Sequence, residues 1–245
     1  MSTIPTSLTE KAFEEHIRPY ISVAKRGYEC SIPLFKIFNY ILYKLHTGCQ
    51  WEMLPIMTSK DGSRQKEISY HAVYYHYRKW SRDGSLEKVW QGSILTIEDD
   101  LNLSELNLDG THAISKKGGE SVAYQGRKKA KTTNVLPVTD GNGFIVASTG
   151  LLAGNHNDAY NLKPHLQEIF KALKGFSLDF EGAFFNADKA FDTKDYKRRF
   201  TCERTFAWID KFKALLIRFD RKDAYFMGAY FIAFAMVNLR HVIQQ

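Results

Sequence analysis

Apolar side chains recur at helical spacing over Leu34, Ile37, Phe38, Ile41, Leu42 and Leu45. That spacing predicts an amphipathic helix, with Gly48 as its C-cap. Trp51, Leu54 and Pro55 follow as a compact apolar turn, and the polar stretch from Thr58 to Lys66 reads as a loop. A second helix is predicted from Ser69, a good N-cap residue, through Tyr70, Val73, Tyr74, Tyr77 and Trp80 to near Gly84. Ser85 caps a third, from Leu86 to about Leu95. After the patch Asp99-Asp100-Leu101-Asn102 the period changes to two. Strands are predicted around Asn107–His112, Thr132–Thr139 and Phe144–Leu152, with Asp140-Gly141-Asn142-Gly143 as a hairpin turn. Together they form an antiparallel meander. A helix over Asn157–Lys174 then buries Leu162, Leu166, Ile169, Phe170 and Leu173, and a short strand over Ala183–Asn186 leads to Asp188. From Thr193 the pattern is helical to the end, with a polar break at Asp220–Asp223. This order predicts an α/β core whose fourth strand lies parallel beside the first, which would bring Asp109 and Asp188 together.

Composition changes this picture little. The 245 residues are 44% apolar and 25% charged, ordinary for a soluble globular protein with a sizeable core. Cys30, Cys49 and Cys202 are far apart and form no CxxC pair, so they read as buried reduced thiols, not as zinc ligands or a disulfide framework. The polar N-terminus lacks a signal-peptide pattern. The apolar stretch Ala224–Leu239 falls short of the ~20 residues a spanning helix needs, and reads as a core helix.

Charge and candidate chemistry add more. Lys and Arg number 34 against 27 Asp and Glu, a formal +7, which suits a polyanionic partner. The cations cluster. Arg127, Lys128, Lys129 and Lys131 follow the first strand, and Lys197, Arg198, Arg199, Arg204, Lys211, Lys213 and Arg218 surround Glu203. Arg78 and Lys79 lie on the second helix, which with the helix before it forms a loose helix-turn-helix-like unit. Asp109 and Asp188 each end a strand, and Glu203 lies on a basic helix. Three carboxylates on separate elements are what two divalent ions need for phosphodiester chemistry: one ion activates the attacking oxygen and the other stabilises the leaving oxygen. Taken by pattern alone, the three are better read as surface acids among 27.

Ordered motifs weigh against that alternative. They are Asp109-Gly110-Thr111-His112, the run Tyr124-Gln125-Gly126-Arg127-Lys128-Lys129-Ala130-Lys131, Gly154-Asn155-His156-Asn157-Asp158 and Asn186-Ala187-Asp188-Lys189-Ala190-Phe191-Asp192. With Tyr196-x2-Arg199-x3-Glu203, and Leu45-His46-Thr47-Gly48-Cys49-Gln50-Trp51 and Tyr77-Arg78-Lys79-Trp80 upstream, the chain resembles bacterial insertion-sequence DDE transposases with an RNase H-like core. The resemblance implies that Asp109, Asp188 and Glu203 are the catalytic, metal-binding triad, holding Mg²⁺ or Mn²⁺ as two ions. It implies that Tyr196 and Arg199 contact DNA phosphates near the scissile bond. On a helix, positions 196, 199 and 203 share one face.

The expected architecture is therefore α/β. An RNase H-like domain over 101–245 (three antiparallel strands plus a parallel fourth, flanked by helices) follows an all-α DNA-binding region over 1–100. The expected activity is binding of terminal inverted repeats, then metal-dependent cleavage and strand transfer. The expected partners are double-stranded DNA, at element ends and target, and further copies of the chain as a homodimer or higher oligomer. The expected setting is a bacterial cytoplasm, nucleoid-associated, with no membrane. Two features depart from the family pattern. Where some relatives carry a Lys seven residues after the Glu, this chain has Asp210. Only fourteen residues separate Asp188 from Glu203, with Asp192 running almost directly into Tyr196, too few for a fifth strand and its return. An internal shortening and a missing fifth strand are expected. The alternative is a catalytically impaired remnant that acts only by binding DNA.

Overall fold

The computed structural model describes residues 4–23, 30, 32–59, 65–156, 162–176, 178–187 and 196–243, with the side chains of 162, 187 and 196–202 left aside. The chain divides into two compact units. The first comprises Met1–Ser93, Phe212–Leu215 and Ala224–Gln245; the second comprises Ile94–Lys211 and Leu216–Asp223.

The first unit is helical: α1 (Glu10–His16), α2 (Leu34–Thr47), α3 (Tyr70–Arg82), most of α4 (Ser85–Thr96), α7 (Lys213–Leu216) and α8 (Asp223–Asn238). Ile37, Phe38, Ile41, Leu42 and Leu45 of α2 are buried, and Gly48 closes the helix at φ 71°, a left-handed conformation that glycine adopts without strain. The Ser69 side chain caps α3 by accepting from Ala72 N at 3.2 Å. Val73, Tyr77 and Trp80 form the buried face of α3. Helix α8 is buried almost all round, from Tyr225 to Asn238. This corrects the expected boundary: residues 224–245 group with the N-terminal helices, not with the strands. The physical reason is that the side chains of this apolar helix find their partners on α3 and α4. Tyr77 Oη donates to Tyr225 O, and Trp90 stacks on Phe231 with centroids 5.5 Å apart. No helix among the described residues is long and apolar enough to cross a membrane.

The second unit holds two sheets where the sequence suggested one meander. The predicted strands break in the middle. The first gives β1 (Glu105–Leu108) and β2 (Thr111–Ser115), on either side of Asp109-Gly110. The second gives β4 (Ala130–Val135) and β5 (Pro137–Asp140), divided just before a proline that has no N–H for a continuous ladder. The third gives β6 (Ile145–Ser148) and β7 (Leu152–Ala153). An unforeseen strand, β3 (Ala123–Gln125), makes a hairpin with β4. The first sheet has the order β6-β5-β1-β8, where β8 is Phe184–Ala187. Strands β6, β5 and β1 pair antiparallel, and β8 joins β1 in parallel. Among the described residues β8 is the edge of this sheet. The second sheet has the order β3-β4-β2-β9, with β7 also on β4.

Strand β9 (Ile217–Arg218) corrects the all-helical expectation for the C-terminal third. It pairs in parallel with Ile114 and Ser115 of β2. On the first sheet, α5 (Leu162–Gly175) packs against β6, and α6 (Tyr196–Ile209) packs against β1 and β5.

The β5–β6 turn is held by a buried carboxylate. Asp140 is fully buried and accepts from Asn102 N at 2.7 Å, Phe144 N at 2.7 Å and Asn142 N at 3.1 Å. Burial raises its pKa, and the N–H groups of Asn102, Phe144, Asn142 and Gly143 oppose that shift. The native state thus holds the proton more tightly than the unfolded chain. The Asp140 contribution is most favourable below the ordinary value of 3.8 and declines as pH rises through the raised native value. Asp140→Ala strands its buried donors and should lower stability by about 2–3 kcal/mol in urea unfolding near neutral pH.

Candidate functional site

Asp109 follows β1 directly, at the break between the two sheets. It is half-buried, and its Oδ1 accepts from Gly110 N at 2.8 Å. The parallel register sets Asn107 opposite Asn186 and Leu108 opposite Ala187, so β1 and β8 end level with one another. Asp188 lies outside the described residues.

The two faces of this sheet differ. Phe185 of β8, the partner of Leu106, meets Phe170 of α5 with centroids 5.6 Å apart. The Leu106 and Leu108 face is therefore the α5 face, and strand alternation turns Asn107 to the other side. Asn107 is level with Thr139 on β5 and Asn186 on β8, so three polar residues cross the sheet one pleat before Asp109. Asn186 Nδ2 donates to Asn107 Oδ1 at 3.0 Å. Sequence reasoning passed over this row. Asn186 stood in a quoted motif, and a second Asn two residues before each strand-ending Asp was the available signal.

Glu203 is exposed on α6. The residues after it are fastened at the β5–β6 turn: Arg204 Nη2 donates to Asn142 O at 3.1 Å and Thr205 Oγ1 to Gly143 O at 3.1 Å. That turn adjoins the Leu106/Asp140 end of the sheet, whereas Asp109 lies beyond the Leu108/Val138 end. The three residues from Leu106 to Asp109 span about 10 Å of strand. Tyr196 and Arg199 lie in the first turns of α6. Among the described residues no group of three His, Cys, Asp or Glu could hold a metal ion. Asp109 itself offers the hard carboxylate oxygen that Mg²⁺ or Mn²⁺ takes.

The basic residues fall into different settings. Arg127, Lys128, Lys129 and Lys131 are all exposed on the β3–β4 hairpin, with Tyr124 level with Lys131 and also exposed. Lys128 Nζ reaches His112 O at 3.2 Å, and Lys129 takes a positive φ of 48° in the turn. Arg78 Nε donates to Tyr225 Oη at 2.9 Å, and its guanidinium lies over the Tyr74 and Tyr225 rings. Lys79 Nζ is 3.5 Å from Ser22 O. Arg204 lies over the Trp208 ring, 5.4 Å from its centroid.

Arg218 departs most from expectation. It is fully buried and so is no part of an outward-facing basic surface. Its Nη2 pairs with Asp223 Oδ1 at 2.7 Å, and its Nε donates to Asp220 O at 2.8 Å.

Residues 8–90 match the family model described as "Putative transposase of IS4/5 family". A solved structure described as "Crystal structure of a pre-cleavage Mos1 transpososome" is 13% identical, over 93% of this chain and 84% of that chain, with a TM-score of 0.32. A likeness at that score carries no argument about this fold. No curated protein matches the chain.

Proposed function

We propose that this chain, whose residues 8–90 match a family model for IS4/5 transposases, binds the terminal inverted repeats of an insertion sequence and catalyses metal-dependent DNA cleavage and strand transfer. The observation that carries the reading is the parallel register of β1 and β8, whose level ends are each followed in sequence by an aspartate, Asp109 and Asp188. An antiparallel β6-β5-β1 set with β8 added in parallel supports an RNase H-like core for this unit.

In this reading Asp109, Asp188 and Glu203 hold Mg²⁺ or Mn²⁺. Two such ions, when bound, polarise the phosphodiester and lower the pKa of the attacking water or 3′-hydroxyl. The protein's own part is positioning and charge. Tyr196 and Arg199, on the same helix as Glu203, take the role of contacting DNA phosphates near the scissile bond. Arg127, Lys128, Lys129 and Lys131 hold the duplex by its backbone, as does Arg204. Arg78 and Lys79 serve the same purpose from α3, the second helix of a helix-turn-helix-like unit. Two ends must meet for transfer, so a dimer or higher oligomer on DNA belongs to the proposal.

A second reading has its own support. The anchoring of Arg204 and Thr205 at the β5–β6 turn fastens α6 toward the far end of the sheet from Asp109. Together with the fourteen-residue interval between Asp188 and Glu203, it favours a catalytically impaired chain that still binds DNA. One experiment separates the two. The purified chain and Asp109→Ala are incubated with labelled element-end DNA and Mg²⁺, and both shift and cleavage are read. Wild-type cleavage that disappears in Asp109→Ala, with the shift retained, supports catalysis. A shift without cleavage in both supports the binding-only reading. No shift in either overturns both.

A further inference from the structure

Tyr74, Arg78 and Arg82 recur every fourth residue of α3, so their side chains share one face of the helix. Tyr225, buried in the first turn of α8, joins that row. The Arg78 guanidinium carbon lies 5.5 Å from the Tyr74 ring centroid and 5.4 Å from that of Tyr225. The Arg82 guanidinium carbon lies 5.1 Å from the Tyr225 centroid. All three distances fall within the reach of a cation–π contact, about 6 Å. Arg78 Nε donates to Tyr225 Oη at 2.9 Å, which orients the guanidinium and leaves its two Nη groups for other acceptors. Arg82 is exposed. Among the described residues neither guanidinium has a carboxylate partner. The nearest acid in the chain, Asp83, gives its carboxylate to Ser22 and Ser85. Like charges one turn apart repel. A row that only fastened α8 to α3 would not need a second such charge at position 82.

We propose that Arg78 and Arg82 together hold one phosphate of the DNA backbone, and that Tyr225 is the positioning residue that sets the two guanidiniums for it. The inference rests on the duplex-binding reading above and deepens it, adding Arg82 and Tyr225 and giving the pair a single shared phosphate. The planar fork of a guanidinium matches phosphate oxygens, and a bound anion relieves the repulsion between the two cations. The rings restrain two long side chains before binding, so less conformational freedom is lost when the phosphate arrives. Lys79, between them in sequence, reaches Ser22 O at 3.5 Å and is not part of the pair.

The test is a fluorescence-anisotropy titration of the full chain with element-end duplex and with an unrelated duplex, at several salt concentrations, with folding checked by urea denaturation. Arg78→Gln and Arg82→Gln should each weaken binding about 10-fold. The double variant should lose little more than either, and its slope of log affinity against log salt should fall by about 0.9, the value of one phosphate. Both duplexes should show the same losses, because a phosphate carries no sequence. Tyr225→Phe keeps the ring and every charge but removes the Arg78 acceptor. It should weaken binding about 3-fold at an unchanged slope, and add nothing in the Arg78→Gln background. Arg82→Lys, which keeps the charge and loses the fork, should also weaken binding at an unchanged slope. These two variants decide should the glutamine variants fail to fold. Additive losses, with about 1.8 taken from the slope by the double variant, would mean two separate phosphates and overturn the shared site. Unchanged affinity in the folded variants overturns it too, and leaves the duplex-binding reading standing on the β3–β4 hairpin. A wild-type chain that binds neither duplex overturns the duplex-binding reading itself, and the shared phosphate with it.

Discussion

Arg218→Ala should lower the stability of the protein by about 3–5 kcal/mol, the range for breaking a buried ion pair by removing one partner. Arg218 is the largest charged side chain fully shut away from solvent among the described residues, and four separate attachments converge on it. Its guanidinium reaches Asp223 Oδ1, Asp220 O and, at 3.4 Å, Arg221 O. Its backbone O accepts from Lys116 N at 3.0 Å as β9 pairs with β2. Around that pair, Glu120 accepts from Asp223 N at 3.0 Å and from Lys222 Nζ at 2.6 Å, and Ser121 Oγ donates to Asp223. The hydrogen bonds from Lys222 Nζ and from Asp223 N lower the pKa of Glu120, which is exposed. Asp223 is 29% exposed and can rehydrate in part, so the loss should fall in the lower half of the range. Arg218→Met keeps the aliphatic stem and loses only the polar attachments, so it should sit between wild type and Arg218→Ala. The check is urea denaturation: a lower midpoint at an unchanged slope. A midpoint shift worth less than about 1 kcal/mol in Arg218→Ala would show that the segment is held by its backbone alone.

That buried arginine marks where sequence reasoning stopped. By composition Arg218 is one more cation in a basic C-terminal third, and charge runs of that kind are usually solvated. Nothing within ten residues of it announces that two residues will join a sheet edge, because a two-residue strand has no period to read. Elements written in local chemistry were legible. The α2 stripe and its Gly48 cap, the Ser69 cap of α3, and the turn at Asp140–Gly143 each depend on residues within a few positions of one another. The order of the sheet core was legible too, as three antiparallel runs and a short strand after a helix. The breaks within those runs were not, although Gly110 and Pro137 stand at two of them. Helix α8 was recognised as a core helix, but a helix apolar on all sides says nothing about which core it joins. Asp109 was singled out from its motif, and the structure sets it directly after β1. Asn107 was not, since an asparagine on a strand is ordinary until its burial and its unmatched Nδ2 are known.

Neutralising the β3–β4 hairpin should flatten the salt dependence of DNA binding. Arg127, Lys128, Lys129 and Lys131 are all exposed, and with Tyr124 they occupy a hairpin whose turn is closed by Lys129 N donating to Gly126 O at 3.2 Å. If each meets a phosphate, their removal takes about 3.6 from the slope of log affinity against log salt, at ~0.9 per neutralised phosphate. Between 50 and 200 mM salt the wild-type affinity should then fall about a hundred-fold further than the variant's. Gln suits positions 127, 128 and 131. Asn suits 129, because the left-handed backbone at φ 48° is tolerated better by Asn than by other side chains of that size. Lys128 already spends one hydrogen bond on His112 O, so of the four it should contribute least when changed alone. None of the four is buried, so the urea midpoint should hold to within about 0.5 kcal/mol of wild type and the loss will not be one of folding. The measurement is a fluorescence-anisotropy titration of element-end duplex at several salt concentrations. An unchanged slope would remove the hairpin from the DNA-facing surface and leave the charge of α3 and α6 to account for binding.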